Sequence, residues 1–365
     1  MDPFHSAPIP ERIREPLRAA LRGELASWPV DLSDAETRLL LDHGVGPLVY
    51  ATQPLPQLRA AAIRAAAVEP MRADDLRSVL GELDANGIDA LITKGTALAY
   101  DVYAAPELRP RADADLLVAR EQASAAIDTF RSLGFEVLLT SGDEHAVRQV
   151  TLSRTDAFGI QHHYDLHWDV TNTPLFASVL RFEDLRKRAH PLPRLGFHAR
   201  GLDRVDALLL ACIHRVAHHH DSERIIWLAD IALLRDRMSA EDHQRFWRQA
   251  ADARVIAVCT RSIELADEWM SRALHDDAAD WLSEEELAQE EPSRIYLERE
   301  LTYGEGMLAD FKALSWRARL QRTWQLAFPP AAFLRQSFGT TSRLALPWLY
   351  VRRGARGVVR LFRKV

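Results

Sequence analysis

The stretch that decides the fold runs from Ile88 to Val118 and reads IDALITKGTALAYDVYAAPELRPRADADLLV. Ile88 to Thr93 is a short apolar run suited to a buried strand, and it closes on Lys94-Gly95. Thr96 to Tyr103 returns to helical spacing, so the unit reads strand, glycine turn, helix. Pro110 biases Arg109 away from the helical region, which makes Glu107 to Arg111 a loop, and Ala112 to Val118 predicts a second strand. Side chains two apart on a strand share a face, so Asp113 and Asp115 project together while Ala112, Ala114 and Leu116 face the core. Two carboxylates this close repel unless a cation stands between them. A hard divalent ion such as Mg²⁺ takes oxygen ligands of this kind, with substrate phosphates completing its shell.

Working outward, Leu76, Val79, Leu80 and Leu83 predict a helix over Asp75 to Asn86 that stops at Gly87. Before it, Ala35 to Ala66 is a helical preface broken at Pro54-Leu55-Pro56. Downstream, Glu121 to Leu133 predicts a helix ended by Gly134, and Phe135 to Leu139, Val147 to Ser153 and Ile160 to Val170 predict strands. Beyond Gly201 the pattern is helical: Val205 to His219, Ile225 to Arg237, Ala240 to Met270, then a stretch rich in glutamate around Glu284 to Glu291. The class is α+β. A core with a small mixed sheet over residues 69–195 is flanked by an N-terminal helical region, 1–68, and a mostly helical C-terminal module, 196–365.

Three further groups of residues carry chemistry. The glycine of Lys94-Gly95-Thr96 permits close backbone approach, exposed N–H groups at the helix start favour phosphate, and Lys94 adds a point charge. On Tyr164 to Asp169, Asp165, His167 and Asp169 alternate with Leu166, Trp168 and Val170, so Asp165 can act as a metal ligand or general base with His167 beside it. Asp169 reads as a strand-end residue. His214 and His218 share a helix face four residues apart, followed by His220-Asp221 and, nine residues further, Asp230. That helix suggests a competing metal-dependent phosphohydrolase, although its ligands are compressed onto one short segment. His214 and Asp230 alternatively reach the nucleotide or acceptor if the helical module covers the cleft.

Taken in order, these segments resemble the uncharacterised nucleotidyltransferase family of the DNA polymerase beta-like superfamily. The resemblance rests on Leu91 to Leu98 with its Lys94-Gly95-Thr96, on Arg109 to Val118 with its Asp113 and Asp115, on Asp165-Leu166-His167-Trp168, and on Trp227-Leu228-Ala229-Asp230. It implies a polymerase beta-like core in which Asp113 and Asp115 hold Mg²⁺, or Mn²⁺ in its place, with Asp165 as third carboxylate. Lys94, Gly95, Thr96 and Arg109 would contact the nucleotide. The implied reaction moves a nucleoside monophosphate from an NTP to a small-molecule or protein hydroxyl. A catalytically inactive nucleotide- or partner-binding module is the non-enzymatic alternative. Two positions depart from related patterns: Lys94-Gly95-Thr96 stands where the wider superfamily has Gly-Ser, and residue 111 is Arg where toxin-like relatives tend to have Ser.

Bulk properties narrow the partners. The 365 residues carry 46 basic and 52 acidic side chains, a net charge of −6, which gives no strong pull towards nucleic acid. Cys212 and Cys259 sit in helical patterns and read as reduced core thiols, which suits a cytoplasmic protein. No stretch supplies the roughly 20 apolar residues of a membrane span. The last fifteen residues hold Arg352, Arg353, Arg356, Arg360, Arg363 and Lys364 without an acid, a basic amphipathic end that packs on its own protein or touches an acidic partner, RNA or a membrane surface.

Overall fold

The computed structural model describes residues 7–138, 148–171, 173, 175–176, 179–219, 221–270, 278–298, 303–313, 316–329, 331, 334–335, 338–340, 342 and 344–361. Four helices come first: α1 (Glu11–Leu21), α2 (Asp34–Asp42), α3 (Gly46–Thr52) and α4 (Arg59–Ala85). Ser33 starts α2 with a reciprocal cap, its hydroxyl accepting from the Glu36 N–H while the Glu36 carboxylate accepts from the Ser33 N–H. α4 is longer than the Asp75–Asn86 helix that the apolar spacing predicts. It runs through Pro70 and crosses position 68 without interruption, anchored by buried Ala73, Leu76, Val79, Leu80 and Leu83. Its end follows expectation: Gly87 takes a φ of 69°, and the Ile88 N–H donates to the Leu83 carbonyl at 2.9 Å.

The sheet is assembled from β1 (Ala90–Thr93), β2 (Ala114–Val118), β3 (Glu136–Leu138), β4 (Gln149–Thr155), β5 (Gln161–His167), β6 (His190–Pro191) and β7 (Arg200–Gly201). Interleaved with them are α5 (Lys94–Asp101), α6 (Ala123–Ser132) and α7 (Phe182–Arg188). Leu139 and Val147, at the ends of two expected strands, lie outside the described residues. The seven strands order as β3-β4-β5-β2-β1-β7-β6, with β2 antiparallel to β1 and parallel to β5, so the sheet is mixed and the fold α+β. One face carries Ile92, Leu116, Leu152 and Leu166 into a core with α4 and α6, where the Phe135 ring packs T-shaped against both Phe130 and Tyr164. The other face carries Leu91 and Leu117 into the helical core.

That second core is shared by the N-terminal helices and by α8 (Arg204–Ala217), α9 (Ile225–Arg235), α10 (Ala240–Asp252) and α11 (Ile256–Met270). Asp203 caps α8, accepting from the Val205 N–H at 3.0 Å. The Ala240–Met270 pattern reads as one helix but forms two, because Arg254 between them takes a left-handed φ of 55°. Cys212 and Cys259 are free and buried in this core, as their helical setting suggests. The chain continues through α12 (Glu284–Leu287), α13 (Ile295–Glu298), α14 (Tyr303–Ala313), α15 (Trp316–Ala327) and α16 (Leu346–Leu361). Among the described residues no helix is long and apolar enough to cross a membrane.

Candidate active site

Register is what builds the site. Thr93 pairs with Asp115, Asp115 with Asp165, and Asp165 with Thr151, so one row across β1, β2, β5 and β4 presents these four side chains on the face turned towards the helices. His167, two residues after Asp165, shares that face. One ligand atom each from Asp115, Asp165 and His167 lies within 4.8 Å of the others, the grouping among the described residues most able to hold a metal ion. Asp113 precedes the first residue of β2, open to solvent at the mouth of the cleft, and its carbonyl accepts from the Thr96 hydroxyl at 3.3 Å.

The charges in this row are unequal. Enclosure by the cleft, then the negative charges of Asp115 and Asp165, push the Asp113 carboxyl up to about 6. Burial also acts to raise Asp115, but the Lys94 ammonium and the His167 ring hold it well below the usual carboxylate range. Lys94 Nζ stands 2.6 Å and His167 Nε2 2.8 Å from the same Asp115 oxygen. A carboxylate only accepts, so His167 Nε2 carries the proton of a ring that burial, followed by the charge of Lys94, keeps neutral. Thr151 donates to Asp165 Oδ1 at 2.6 Å. Asp169 lies past the end of β5, paired with Arg120 and Arg148 as a strand-end residue rather than in the carboxylate row.

In the Lys-Gly turn the two residues have separate tasks. Lys94, not Gly95, takes the left-handed conformation, with φ at 52°. For a residue with a Cβ that conformation costs roughly 1–2 kcal/mol. Gly95 is required by space instead: a Cβ there would stand 3.1 Å from Cζ and Nη2 of Arg109. Arg109 is buried and engaged, donating from Nε and Nη2 to the two oxygens of Asp230 at 2.8 and 2.7 Å and from Nη1 to the Pro110 carbonyl at 2.9 Å. Tyr103 adds a hydroxyl to Asp230 at 2.7 Å. Arg109 and Asp230, expected as a nucleotide contact and an acceptor-side residue, are thus brought together as a buried bidentate pair that ties the loop before β2 to α9.

Above the carboxylates a cleft of about 470 Å³ opens between the sheet face and α8 and α9. Ala207, Ala211, His214 and His218 recur along α8 and line it, the two alanines leaving room and the two histidines closing it. Burial, then the Lys94 charge, lowers both rings, His218 to about 3, so they are neutral near pH 7. His219 stacks on Trp227 with centroids 4.1 Å apart, and the Arg224 guanidinium lies 5.2 Å from the same ring. Arg224 donates to the Asp42 carbonyl at 3.1 Å, and among the described residues no carboxylate stands within ion-pair distance of it. Sequence reasoning missed Arg224 as a site residue, because a cation just ahead of a helix carries no pattern of its own. Trp227, whose motif carries no hint of a place in the cleft, also forms part of the wall. Asp221 pairs with Arg215 and Arg261, and Asp230 with Arg109, so neither joins the helix histidines in a metal cluster. His220 lies outside the described residues.

A mixed sheet that sets carboxylates side by side beneath a cationic turn, with a helical module across the cleft, defines an α+β fold of nucleotidyltransferase type. The model of the family described as uncharacterised nucleotidyltransferase matches residues 35–271, close to two thirds of the 365 residues, and the chain belongs to that family. No curated protein matches it.

Proposed function

We propose that the protein is a metal-dependent nucleotidyltransferase that moves a nucleoside monophosphate from an NTP to a hydroxyl of a small molecule or protein. The observation that carries this is the in-register placement of Asp115 beside Asp165, with Asp113 just ahead of the same strand: a donor set of hard oxygens crowded enough to want a divalent cation. Asp113, Asp115 and Asp165 would hold Mg²⁺, or Mn²⁺, with His167 orienting Asp115. The ion would neutralise phosphate charge and stabilise the attacking and leaving oxygens.

The remaining work falls to side chains of this chain. Lys94, on a flexible stem, can exchange Asp115 for a phosphate oxygen without moving the backbone. No side chain caps α5, so its first N–H groups are available to the same phosphates. Arg224 meets the departing pyrophosphate, and the Trp227 and histidine wall offers a neutral, aromatic surface to a base. Thr151 holds one oxygen of Asp165 and leaves the other to take the acceptor proton. The acceptor oxygen then bonds to the α-phosphorus as the bond from that phosphorus to the β-phosphate oxygen breaks. In this division residues 69–195 supply carboxylates and turn, residues 196–365 supply the opposing wall, and residues 1–68 brace it.

Titration calorimetry with each NTP, with and without Mg²⁺, tests the reading. Mg²⁺-dependent binding should be lost in Asp115→Asn and Asp165→Asn and weakened at least about tenfold in Arg224→Gln, the size of one charge-assisted hydrogen bond. Binding indifferent to Mg²⁺ and to both Asp substitutions would sink it. Incubation with α-labelled NTP and cell extract then separates a transferase, which labels an acceptor and releases pyrophosphate, from an inactive binding module.

A further inference from the structure

We propose that the C-terminal helical unit, from α14 through α16, lies on the surface of an anionic lipid bilayer. Charge is the first observation. From Tyr303 to Val365 the sequence has twelve Lys and Arg against two acids, Glu305 and Asp310, and none after Phe311, although the whole chain carries −6. The acidic excess therefore belongs entirely to the rest of the protein, and this unit is a separate basic field. The basic run begins well before the Arg352-to-Lys364 tail, whose last members, Arg363 and Lys364, lie outside the described residues.

Apolar exposure is the second. Of the fifteen large apolar side chains exposed among the described residues, eight fall between Leu308 and Val351. On α15 Trp316, Leu320 and Trp324 stand at successive four-residue steps, on one side of the helix, and each is more than half exposed. Trp348 and Val351 are exposed on α16, where the Arg352 guanidinium sits 5.0 Å from the Trp348 ring. The unit holds itself together through buried Leu334 and Leu349 and through the Tyr350 hydroxyl, which donates to the Pro329 carbonyl at 2.7 Å. Its apolar row is therefore left over after its own packing.

Tryptophan settles at headgroup depth, leucine and valine enter the acyl boundary, and arginine meets lipid phosphates. The aliphatic members decide between partners. Single-stranded nucleic acid is bound by stacking on aromatic rings and by cations, a chemistry in which Leu320, Leu344 and Val351 have no part. Among the described residues no helix is long and apolar enough to span, so the unit would lie in the plane of the interface. This inference stands independently of the chemistry proposed for the cleft.

Flotation of the full-length protein with phosphatidylcholine vesicles, with and without phosphatidylglycerol, tests it. The expected result is binding to the anionic vesicles alone, diminished by salt. Removing two charges with Arg352→Gln and Arg356→Gln should weaken partitioning about thirtyfold, which is ~2 kcal/mol at about 1.4 kcal/mol per tenfold. Leu320→Gln with Trp324→Gln should weaken it even at low salt, whereas Leu25→Gln with Val30→Gln, exposed positions far earlier in the chain, should not. Circular dichroism of each variant checks that the helices are intact. Absence of flotation, or flotation unchanged by the Leu320 and Trp324 pair, overturns the proposal. Retention of a single-stranded RNA oligonucleotide by a protein that does not float would assign the surface to nucleic acid instead.

Discussion

The pair Arg109 and Asp230 offers the sharpest test of what holds the cleft in shape. Their side chains are 8% and 5% exposed, the contact is bidentate, and the partners are 121 residues apart in the chain. Removing one member of such a buried pair leaves the other charge without compensation, a loss of about 3–5 kcal/mol, whereas removing both for apolar residues of similar size is often nearly neutral. Arg109→Met and Asp230→Leu should therefore each lower the unfolding free energy by about 3–5 kcal/mol, and the double variant should recover most of that. A coupling energy above about 2 kcal/mol is the expected outcome of the double-mutant cycle, measured by urea unfolding followed by far-ultraviolet circular dichroism. Arg109→Lys should not rescue, because an ammonium cannot supply the fork that meets both Asp230 oxygens. The refuting result is a cost below about 1 kcal/mol for each single variant, together with weakened nucleotide binding in Arg109→Met alone. Arg109 would then be a nucleotide contact and not a lock.

Two further outcomes follow from the same geometry. Gly95→Ala gains up to about 1 kcal/mol of helix propensity but presses a Cβ onto the Arg109 guanidinium, for which crowding costs typically about 1–3 kcal/mol. Urea unfolding should show a net loss in the native background and a gain when Arg109→Met has cleared the space; a gain in both would mean the contact relaxes freely. Asp101 is the acid-sensitive clasp between α5 and the start of α8. Burial opposes its ionisation, yet His190 and Arg204, at 3.5 and 3.2 Å, bring it to about 2. A depressed carboxyl stabilises above its unfolded value near 4 and loses that share as pH falls through its folded value. About 2 kcal/mol should therefore disappear between roughly pH 5 and pH 1, with about half gone near pH 3. Asp101→Asn should flatten this part of the stability profile, and an unchanged slope would refute the assignment.

What the sequence determined by itself is local. Alternation placed Asp165 with His167 on one side of a strand, and Gly87 marked the end of α4, because side-chain period and capping are properties of a few consecutive residues; the strand expected from Ala112 begins only at Ala114, which leaves Asp113 just ahead of it. Even locally, two conformations went unannounced by residue type: Lys94 takes the left-handed φ inside the Lys-Gly turn, and Arg254 divides a helix that its pattern runs together. Periodicity states which face a side chain is on but not which strand lies beside it. The tertiary structure alone decided that β2 and β5 run parallel with Asp115 opposite Asp165, that Arg109 is engaged by Asp230, and that Arg224 and Trp227 close the cleft. Each of those contacts joins segments that only folding brings together, and pairing of that kind depends on how whole elements pack rather than on any spacing along the chain.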